Sequence, residues 1–389
     1  MNYVIYPAIM IVTLTITFIY DNIIQKRIVS SVNIEYRNKL IGFRYNYSSN
    51  KSLFIFIILS IIISVYSASL GDNWSRDRRV YDEIFNIIII KPDNINEFAN
   101  AYKNLNNQYG EELGLGYLLL NSIIKIFFNN SDWLYFVNTF IFSLISLYVL
   151  SKLKTTYKYT IFVLFFFISP FIYYNLYLLR QATAVAFSSL AILYLMRNKN
   201  TKFFICTFIA FLFHGTAAIL LFYFICTRLK TKNLRKYLLI GIIFVVFLFN
   251  ILINILIPML SSSNYLMRYS NYILNNISFD GNITMGIRGV PYYILFVFAL
   301  IKKDILIKKN NNYKFFIISL CFCSLSYVLS IYIYMLHRIA WYFMLQTIIF
   351  IPVLADTIKF KGLKLIFFSI LIILFLIIDF RTTVTVLGR

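Results

Sequence analysis

The chain has 389 residues, of which 60% are hydrophobic and only 13% are charged, and its formal net charge is +22. Soluble domains carry about a quarter charged residues, and 40 Phe and 31 Tyr could not stay in solution on a surface of this size. These numbers exclude a soluble enzyme, a disordered tail and a secreted disulfide scaffold, and they indicate a polytopic membrane protein.

Apolar stretches recur along the whole chain at lengths close to that of a membrane-spanning helix. Since a span needs roughly 20 apolar residues, we predict an all-α transmembrane helical bundle of about 10–12 membrane helices, forming a single integral membrane domain over 1–389. The first stretch has no basic segment before it and no small-residue cleavage site after it, so we interpret it as a retained span. The stretches are 3–20, 53–70, 133–150, 160–178, 181–196, 203–226, 237–258, 289–301, 315–336, 339–355 and 365–380.

Lys and Arg in the short loops set the expected orientation, because cytoplasmic loops carry an excess of them. Placing the basic loops in the cytoplasm accounts for 25 of the 37 basic residues. Two apolar segments must then fail to cross: 113–128, as a re-entrant or interfacial helix, and 203–226, as a hairpin broken at His214-Gly215. One tilted span over 203–226 is the alternative, but it would put the five-Lys loop 302–314 outside. The preferred topology has ten full crossings, counted from the stretches above, with both termini outside.

Outer loop 71–112 differs from the rest of the chain because it holds eight of the 15 acidic residues. A solvated loop that was never under the positive-inside constraint explains this equally well. On a helical loop segment Asp77, Tyr81 and Phe85 would share one face. Such a helix would be either a lid over a site or an amphipathic helix on the membrane surface.

Arginine and lysine segregate between the two sides. Nine of the twelve outward basic residues are Arg, against six of the 25 cytoplasmic ones. Orientation needs only charge, whereas the guanidinium fork grips phosphate or carboxylate bidentately. The outward face, including a second outer loop at 259–288, therefore indicates recognition of an anion. Outward arginines in the loops or at span ends include Arg79, Arg180, Arg268, Arg288 and Arg338.

Polar and aromatic residues accompany these arginines. Gln181 follows Arg180, and Tyr342 lies four residues after Arg338. Snorkelling arginines and the interfacial aromatic belt are one interpretation. A shared site, with aromatic platforms for sugar rings beside anion-binding arginines, is the other.

The sequence lacks the motifs for several kinds of chemistry. The chain contains no GxxxxGK[ST] sequence, the motif that would suggest ATP use. Its two histidines and four cysteines form no zinc-type cluster. We therefore expect no metal, no cofactor and no disulfide. No nucleic-acid partner is expected either, because membrane topology accounts for the positive charge.

One pair of motifs in the middle of the chain is familiar. Arg180-Gln181 opens a span and is followed some thirty residues later by Phe213-His214-Gly-Thr-Ala217. This pair resembles the EpsG family of Wzy-type polymerases of bacterial exopolysaccharide, capsule and O-antigen. Two weaker matches, Asp77-x3-Tyr81-x3-Phe85 and Arg338-Ile-Ala-Trp-Tyr342, extend the resemblance over roughly residues 60–350.

Two features depart from the family pattern. The Glu-x-Gly-aromatic motif is present here as Glu112-Leu-Gly114-Leu-Gly116-Tyr117, so the register of Glu112 is open. The cluster of arginines at 76, 78 and 79 gives no unique match to the family's arginine.

The resemblance implies a reaction and its surroundings. Two undecaprenyl-pyrophosphate-linked oligosaccharides would meet at the periplasmic or exterior face of a bacterial cell membrane. A hydroxyl of the incoming repeat unit would attack the anomeric carbon of the growing chain, with the lipid pyrophosphate as leaving group. Besides the lipid bilayer, a flippase and a chain-length regulator would be the expected partners.

Residue roles follow from that mechanism. Arg180 would stabilise the leaving pyrophosphate, since charge that develops on a leaving group calls for a preorganised cation. Arg268 and Arg338 would form a second clamp, and the substrate-binding set would be completed by Gln181, Tyr81, Tyr342 and Arg79.

The attacking hydroxyl also needs a general base. His214 is a candidate because the ordinary imidazole pKa of about 6.5 suits this work. A hydrogen-bonded structural histidine at a helix break is the other interpretation. Asp77, Asp82 and Glu112 are the acidic alternatives.

Two rival functions remain at this stage. An oligosaccharide ligase, or another transferase with a lipid-linked donor, would use the same chemistry. A flippase or other transporter of lipid-linked oligosaccharide would not, and such proteins place ionisable residues near the bilayer centre. The predicted mid-span positions are nearly free of charge, which counts against transport.

Overall fold

The computed structural model describes residues 11–23, 50–69, 76–88, 100, 102–104, 113–153, 159–163, 178–261, 286–360, 362–371, 373–374 and 377. All regular elements within these ranges are helical, which confirms the all-α class. Three helices are both long and apolar enough to cross a membrane, and further apolar helices of 10–17 residues accompany them. The number of crossings and their sidedness stay predictions. The three long helices are Asp132–Ser151, Leu179–Met196 and Tyr334–Ala355.

Two compact units divide the chain. The first comprises residues 1–194 and 199–217, and the second comprises 195–198 and 218–389. That they act as one integral membrane domain stays a prediction. The first unit is built on α1 (Ile11–Ile23), α2 (Asn50–Ala68), α3 (Arg76–Ile87), α4 (Leu115–Phe127), α5 (Asp132–Ser151), α6 (Leu179–Met196) and α7 (Asn200–Phe213).

Small hydroxyl residues form the seam between α2 and α5 in the first unit. They recur at i, i+4 and i+7 on both helices, which places each set on one face. Short side chains let apolar helices approach closely, and the Thr139 hydroxyl donates across the seam to Ser67 Oγ at 2.9 Å. The buried members are Ser60, Ser64 and Ser67 on α2 and Thr139, Ser143 and Ser146 on α5.

The outer-loop helix α3 is amphipathic and packs on the first unit through one face. Tyr81 and Phe85 are buried there, whereas Asp77 in the first turn is exposed. The Lys125 ammonium on α4 donates to the backbone oxygens of Asn86 and Ile88, at 2.6 and 3.0 Å, and so caps the end of α3. The shared core consists of Tyr81, Ile84, Phe85, Ile88, Leu113, Tyr117, Leu118, Ile124, Leu134, Tyr135 and Leu179.

Helix α4 has 13 residues and a length of about 20 Å, which is shorter than the hydrocarbon core of a bilayer. This length is compatible with the re-entrant or interfacial placement, which stays a prediction.

The segment 203–226 breaks where expected. Helix α7 ends at Phe213, and His214 is extended, with φ −154° and ψ 116°. A 3₁₀ turn over Gly215–Ala218 precedes the next helix. The broken-helix prediction is therefore confirmed, and its hairpin geometry stays a prediction.

Some basic residues of the second unit make structural contacts, although the sequence analysis used them only to orient the chain in the membrane. Lys303 is buried and donates to the backbone oxygens of Thr231 and Lys232, both at 3.3 Å. Its hydrogen bond to Asp304, with Arg235 nearby, lowers the pKa of that carboxyl below its ordinary value. The helices of this unit are α8 (Ile219–Cys226), α9 (Leu234–Ser261), α10 (Val290–Ile301), α11 (Lys303–Lys309), α12 (Tyr313–Leu329), α13 (His337–Ala355) and α14 (Gly362–Leu371).

Candidate functional site

Arg180 lies in the first turn of α6, which begins at the buried residue Leu179. The guanidinium-bearing side chain is half-buried, and the next residue, Gln181, is buried. The first turn of a helix presents backbone N–H groups without intrahelical partners and the positive end of the helix dipole. An arginine in this turn therefore adds a full positive charge to a location that already favours anions.

Tyr117 on α4 lies within the electrostatic reach of Arg180. Its side chain is fully buried, and its ring centroid is 5.6 Å from that of Tyr81 on α3. Tyr81 and the carboxyl group of Asp82 also interact electrostatically with Tyr117. The fold thus gathers Arg180, two tyrosines and one carboxylate from three segments of the first unit.

Arg78, rather than Arg79, is the buried arginine of the outer-loop cluster. Its guanidinium donates to Ser67 O at 2.9 Å, to Ala68 O at 3.2 Å and to Asp132 Oδ1 at 3.3 Å. It also lies 3.6 Å from the centroid of the Tyr135 ring. Because Ser67 and Ala68 end α2, Arg78 neutralises the negative end of that helix and fixes α3 against α2 and α5.

Asp82 accepts a hydrogen bond of 3.0 Å from the Tyr135 hydroxyl, which also lies 2.9 Å from Arg78 O. Asp82 is therefore held in place by the same network as Arg78. Asp77 and Arg79, two of the predicted site residues, are exposed on α3. Nothing in the structure assigns either of them a substrate contact, and their roles stay predictions.

His214 caps the C-terminus of α7, where its backbone N–H donates to Ala210 O at 2.9 Å. Its side chain is half-buried, and Nδ1 lies 2.7 Å from the Thr216 hydroxyl. If Nδ1 carries the proton and donates it to Thr216, the lone pair on Nε2 can accept a proton from a substrate hydroxyl. The Thr216 contact therefore bears directly on which ring nitrogen can act as a base.

Two glycines bring the start of α4 against the end of α7. A Cβ on Gly114 would lie 2.5 Å from both Leu212 O and Phe213 O, so no larger residue fits without moving backbone. A Cβ on Gly116 would lie 3.0 Å from the Phe213 ring. The Gly-x-Gly spacing therefore lets α4 reach the residues that immediately precede His214.

In this way, α4 contacts both halves of the motif pair. Its Tyr117 interacts with Arg180, and its glycines pack against Leu212 and Phe213. Phe213 in turn stacks on Phe187 of α6, with ring centroids 6.2 Å apart. Residues that are separated by some thirty positions in the sequence are thus joined through one short helix of the same unit.

A second group of cations occupies the second unit. The His337 ring is buried between Tyr334 and Trp341, with its Nδ1 at Tyr334 O. Arg288 and Arg338 both interact electrostatically with this ring. The Arg338 guanidinium lies 6.0 Å from the Trp341 ring.

Arg288 is held by close packing of the glycines beside it. A Cβ on Gly289 would lie 2.5 Å from Tyr327 Cβ, and a Cβ on Gly286 would lie 2.7 Å from the Ile331 side chain. The backbone on both sides of Arg288 is therefore pressed against α12 and the turn that follows it.

The remaining predicted site residues divide into two groups. Tyr81 and Tyr342 are buried and pack in the cores of their units, so contact of either with substrate stays a prediction. Glu112 and Arg268 lie outside the described residues.

Sequence reasoning missed the part played by Tyr117, and it counted Arg288 among the outward arginines without assigning it a role of its own. Tyr117 follows a Gly-x-Gly sequence that signals a close backbone approach, and Arg288 lies between Gly286 and Gly289. These glycines were the available signal.

A family model described as the EpsG family matches residues 53–388, which include the described site residues of both units. Neither the curated proteins nor the solved structures contain a match to the chain.

Proposed function

We propose that this chain, which belongs to the EpsG family, polymerises lipid-linked repeat units. Membership of that family makes it a polysaccharide polymerase-like membrane protein. The donor is the growing glycan on undecaprenyl pyrophosphate, and the acceptor is a hydroxyl of an incoming lipid-linked repeat unit. The reaction takes place on the outer face of the bacterial cell membrane.

The bond changes are those of glycosyl transfer. The acceptor oxygen forms a bond to the anomeric carbon of the growing chain, and the bond from that carbon to the pyrophosphate oxygen breaks. The hydroxyl proton passes to a base, and the electron pair leaves on the pyrophosphate. The protein must therefore provide a cation at the leaving oxygen and a proton acceptor at the hydroxyl.

The observation that carries the proposal is the position of Arg180. Its side chain lies in the first turn of an 18-residue helix, half-buried and within electrostatic reach of Tyr117. Hydrogen bonds to charged groups contribute about 1.5–3 kcal/mol each, and a partly dehydrated site strengthens them. Arg338, together with Arg268, is proposed as the second cationic clamp.

His214 is proposed as the base that takes the hydroxyl proton. It lies directly after the carbonyl groups that pack on Gly114, and Thr216 can set the tautomer of its ring. Asp82 is less suited to this role because the Tyr135 hydroxyl already donates to it.

Replacement of Arg180 tests the proposal. Arg180→Lys keeps the charge and loses the fork, so the polymer should fall at least about tenfold at unchanged protein level, the loss of one charge-assisted contact. The matched control is Arg197→Lys, because Arg197 directly follows the last residue of the same helix and is exposed. It should make polymer of normal length and amount. A full polymer ladder in Arg180→Ala would refute the site.

The products in a deletion strain distinguish the related activities. Loss of a polymerase leaves single repeat units, which are still transferred to their final carrier. Loss of a ligase leaves the carrier without any repeat unit, and loss of a flippase leaves the units on the cytoplasmic leaflet. Either of the last two outcomes would overturn the proposed reaction.

A further inference from the structure

Several helices of the second unit begin or end at the same place. The Tyr223 hydroxyl, near the end of α8, donates to Phe315 O in the first turn of α12 at 2.9 Å. Phe316, also at the start of α12, stacks on Phe350 near the end of α13, with ring centroids 5.1 Å apart. Lys303, just after α10, donates to carbonyl groups in the turn before α9. The segments 226–236, 301–314 and 355–364 therefore share one end of this unit, which we call the basic end.

The basic end carries far more positive than negative charge. Its described residues include twelve Lys or Arg but only two Asp. Asp304 already pairs with Lys303, at 2.8 Å, and Asp356 pairs with Lys364. The two acids therefore balance only a small part of the positive charge. The cations are Arg228, Lys230, Lys232, Arg235, Lys236, Lys302, Lys303, Lys308, Lys309, Lys314, Lys359 and Lys364.

Exposed aliphatic side chains lie directly beside these cations. Ile225 comes one turn before Arg228, Ile301 precedes Lys302, and Ile305 lies on α11; all three isoleucines are exposed. Cations at the ends of apolar helices lie at the depth where lipid phosphates meet acyl chains. An anionic phospholipid matches both features, since its phosphate complements the cations and its chains cover the isoleucines. An acidic soluble partner would match only the charge.

Arg228 and Lys314 are the pair best placed to share one phosphate. The backbone N–H of Arg228 donates to Ile225 O at 3.0 Å, which fixes the turn directly after α8. Lys314 directly precedes Phe315, whose carbonyl holds Tyr223 of α8. Burial and the charge of Arg228 lower the pKa of Lys314, which belongs to the basic loop 302–314. Two like charges held together in this way are stabilised by an anion between them.

We propose that the end of α8 and the start of α12 bind the phosphate of an anionic phospholipid through Arg228 and Lys314. The guanidinium fork can hold two phosphate oxygens at once, and the ammonium group adds a second positive charge. The sequence predicts that this end faces the cytoplasm, where the leaflet surface is anionic. The inference is independent of the polymerase reaction.

Thermal unfolding of the purified protein in a neutral detergent tests the proposal. Phosphatidylglycerol should raise the unfolding temperature, because a ligand that binds only the folded protein stabilises it. Added salt should reduce this shift. Zwitterionic phosphatidylcholine and inorganic phosphate, at the same concentration, should each give a much smaller shift.

Two double variants locate the binding site. Arg228→Gln with Lys314→Gln should weaken the apparent affinity for phosphatidylglycerol about thirtyfold, since each cation near an anionic lipid surface contributes about fivefold. The matched control, Lys199→Gln with Lys202→Gln, removes two exposed cations from a basic loop of the first unit. It should weaken the affinity less than about twofold. Arg228→Lys keeps the charge and should retain most of the binding.

Each contrary result overturns the site and leaves the polymerase untouched, because no glycan is involved. No shift of the wild-type protein with phosphatidylglycerol overturns it without any variant. An equal shift with inorganic phosphate shows a site for free anions, and equal losses in the two double variants show unspecific charge attraction. If the Arg228/Lys314 double variant does not fold, the two single variants, each about fivefold weaker in binding, provide the same test.

Discussion

Gly114→Ala tests whether the contact between α4 and the end of α7 positions His214. The added Cβ would lie 2.5 Å from Leu212 O and Phe213 O and 2.8 Å from Phe213 C. All three atoms belong to the backbone, so no side-chain rotation can relieve the overlap. Ordinary contact begins at 3.4 Å, so the two segments must separate by about 1 Å.

The size of the effect follows from that displacement. Overpacking of this kind costs about 1–3 kcal/mol of stability. A displacement of about 1 Å at catalytic groups can reduce a rate about a hundredfold. Polymerisation should therefore fall far more than the amount of folded protein.

Two other glycines of the unit provide a graded comparison. A Cβ on Gly116 meets mainly the Phe213 side chain at 3.0 Å, which can yield, so Gly116→Ala should cost less than about 1.5 kcal/mol. A Cβ on Gly215 meets only Phe211, at 4.0 Å, so Gly215→Ala should change stability by less than about 0.5 kcal/mol.

The assay combines polymer length on gels with the unfolding temperature of the purified protein in detergent. The expected order of impairment is Gly114→Ala, then Gly116→Ala, then Gly215→Ala. Normal polymer and normal stability in Gly114→Ala would refute the close contact between α4 and α7. Equal impairment in all three variants would show that the glycines act through chain flexibility and not through space.

Two further predictions concern the buried arginine and the candidate base. Arg78→Lys should lower the free energy of unfolding by about 2–4 kcal/mol in thermal unfolding, because a lysine lacks the planar fork that bonds two carbonyls and a carboxylate at once. The exposed Arg79→Lys should be neutral. Equal stability of the two variants would contradict the structural role of Arg78. His214→Ala should abolish polymer at normal protein level, and Thr216→Val should reduce the rate about tenfold through the tautomer of the ring; full activity in His214→Ala would assign the base elsewhere.

The fold class and the helix break were predictable from the sequence. Composition and spacing alone indicate membrane helices, and the His214-Gly215 pair marked the interruption that the structure confirms. Neither prediction needs knowledge of long-range contacts, because helix formation in a membrane is local and satisfies its own backbone.

The site was only partly predictable. Arg180 and His214 stand out because charged and titratable groups are rare in such a chain. The roles of Arg78 and Tyr117 depend on three-dimensional packing: Arg78 reaches back to the end of α2, and Tyr117 interacts electrostatically with Arg180, which lies 63 positions later in the sequence. Charge counting treated Arg78 as one of three equivalent loop arginines, and it could not tell a buried structural cation from an exposed one.

The most direct test of the account is reconstitution of the purified protein in liposomes with lipid-linked repeat units as sole substrate. The account predicts glycans that differ by one repeat unit, with one undecaprenyl pyrophosphate released for each bond formed, and no product with Arg180→Ala. Repeat units that cross the bilayer without lengthening, or undiminished polymer from Arg180→Ala, would contradict it.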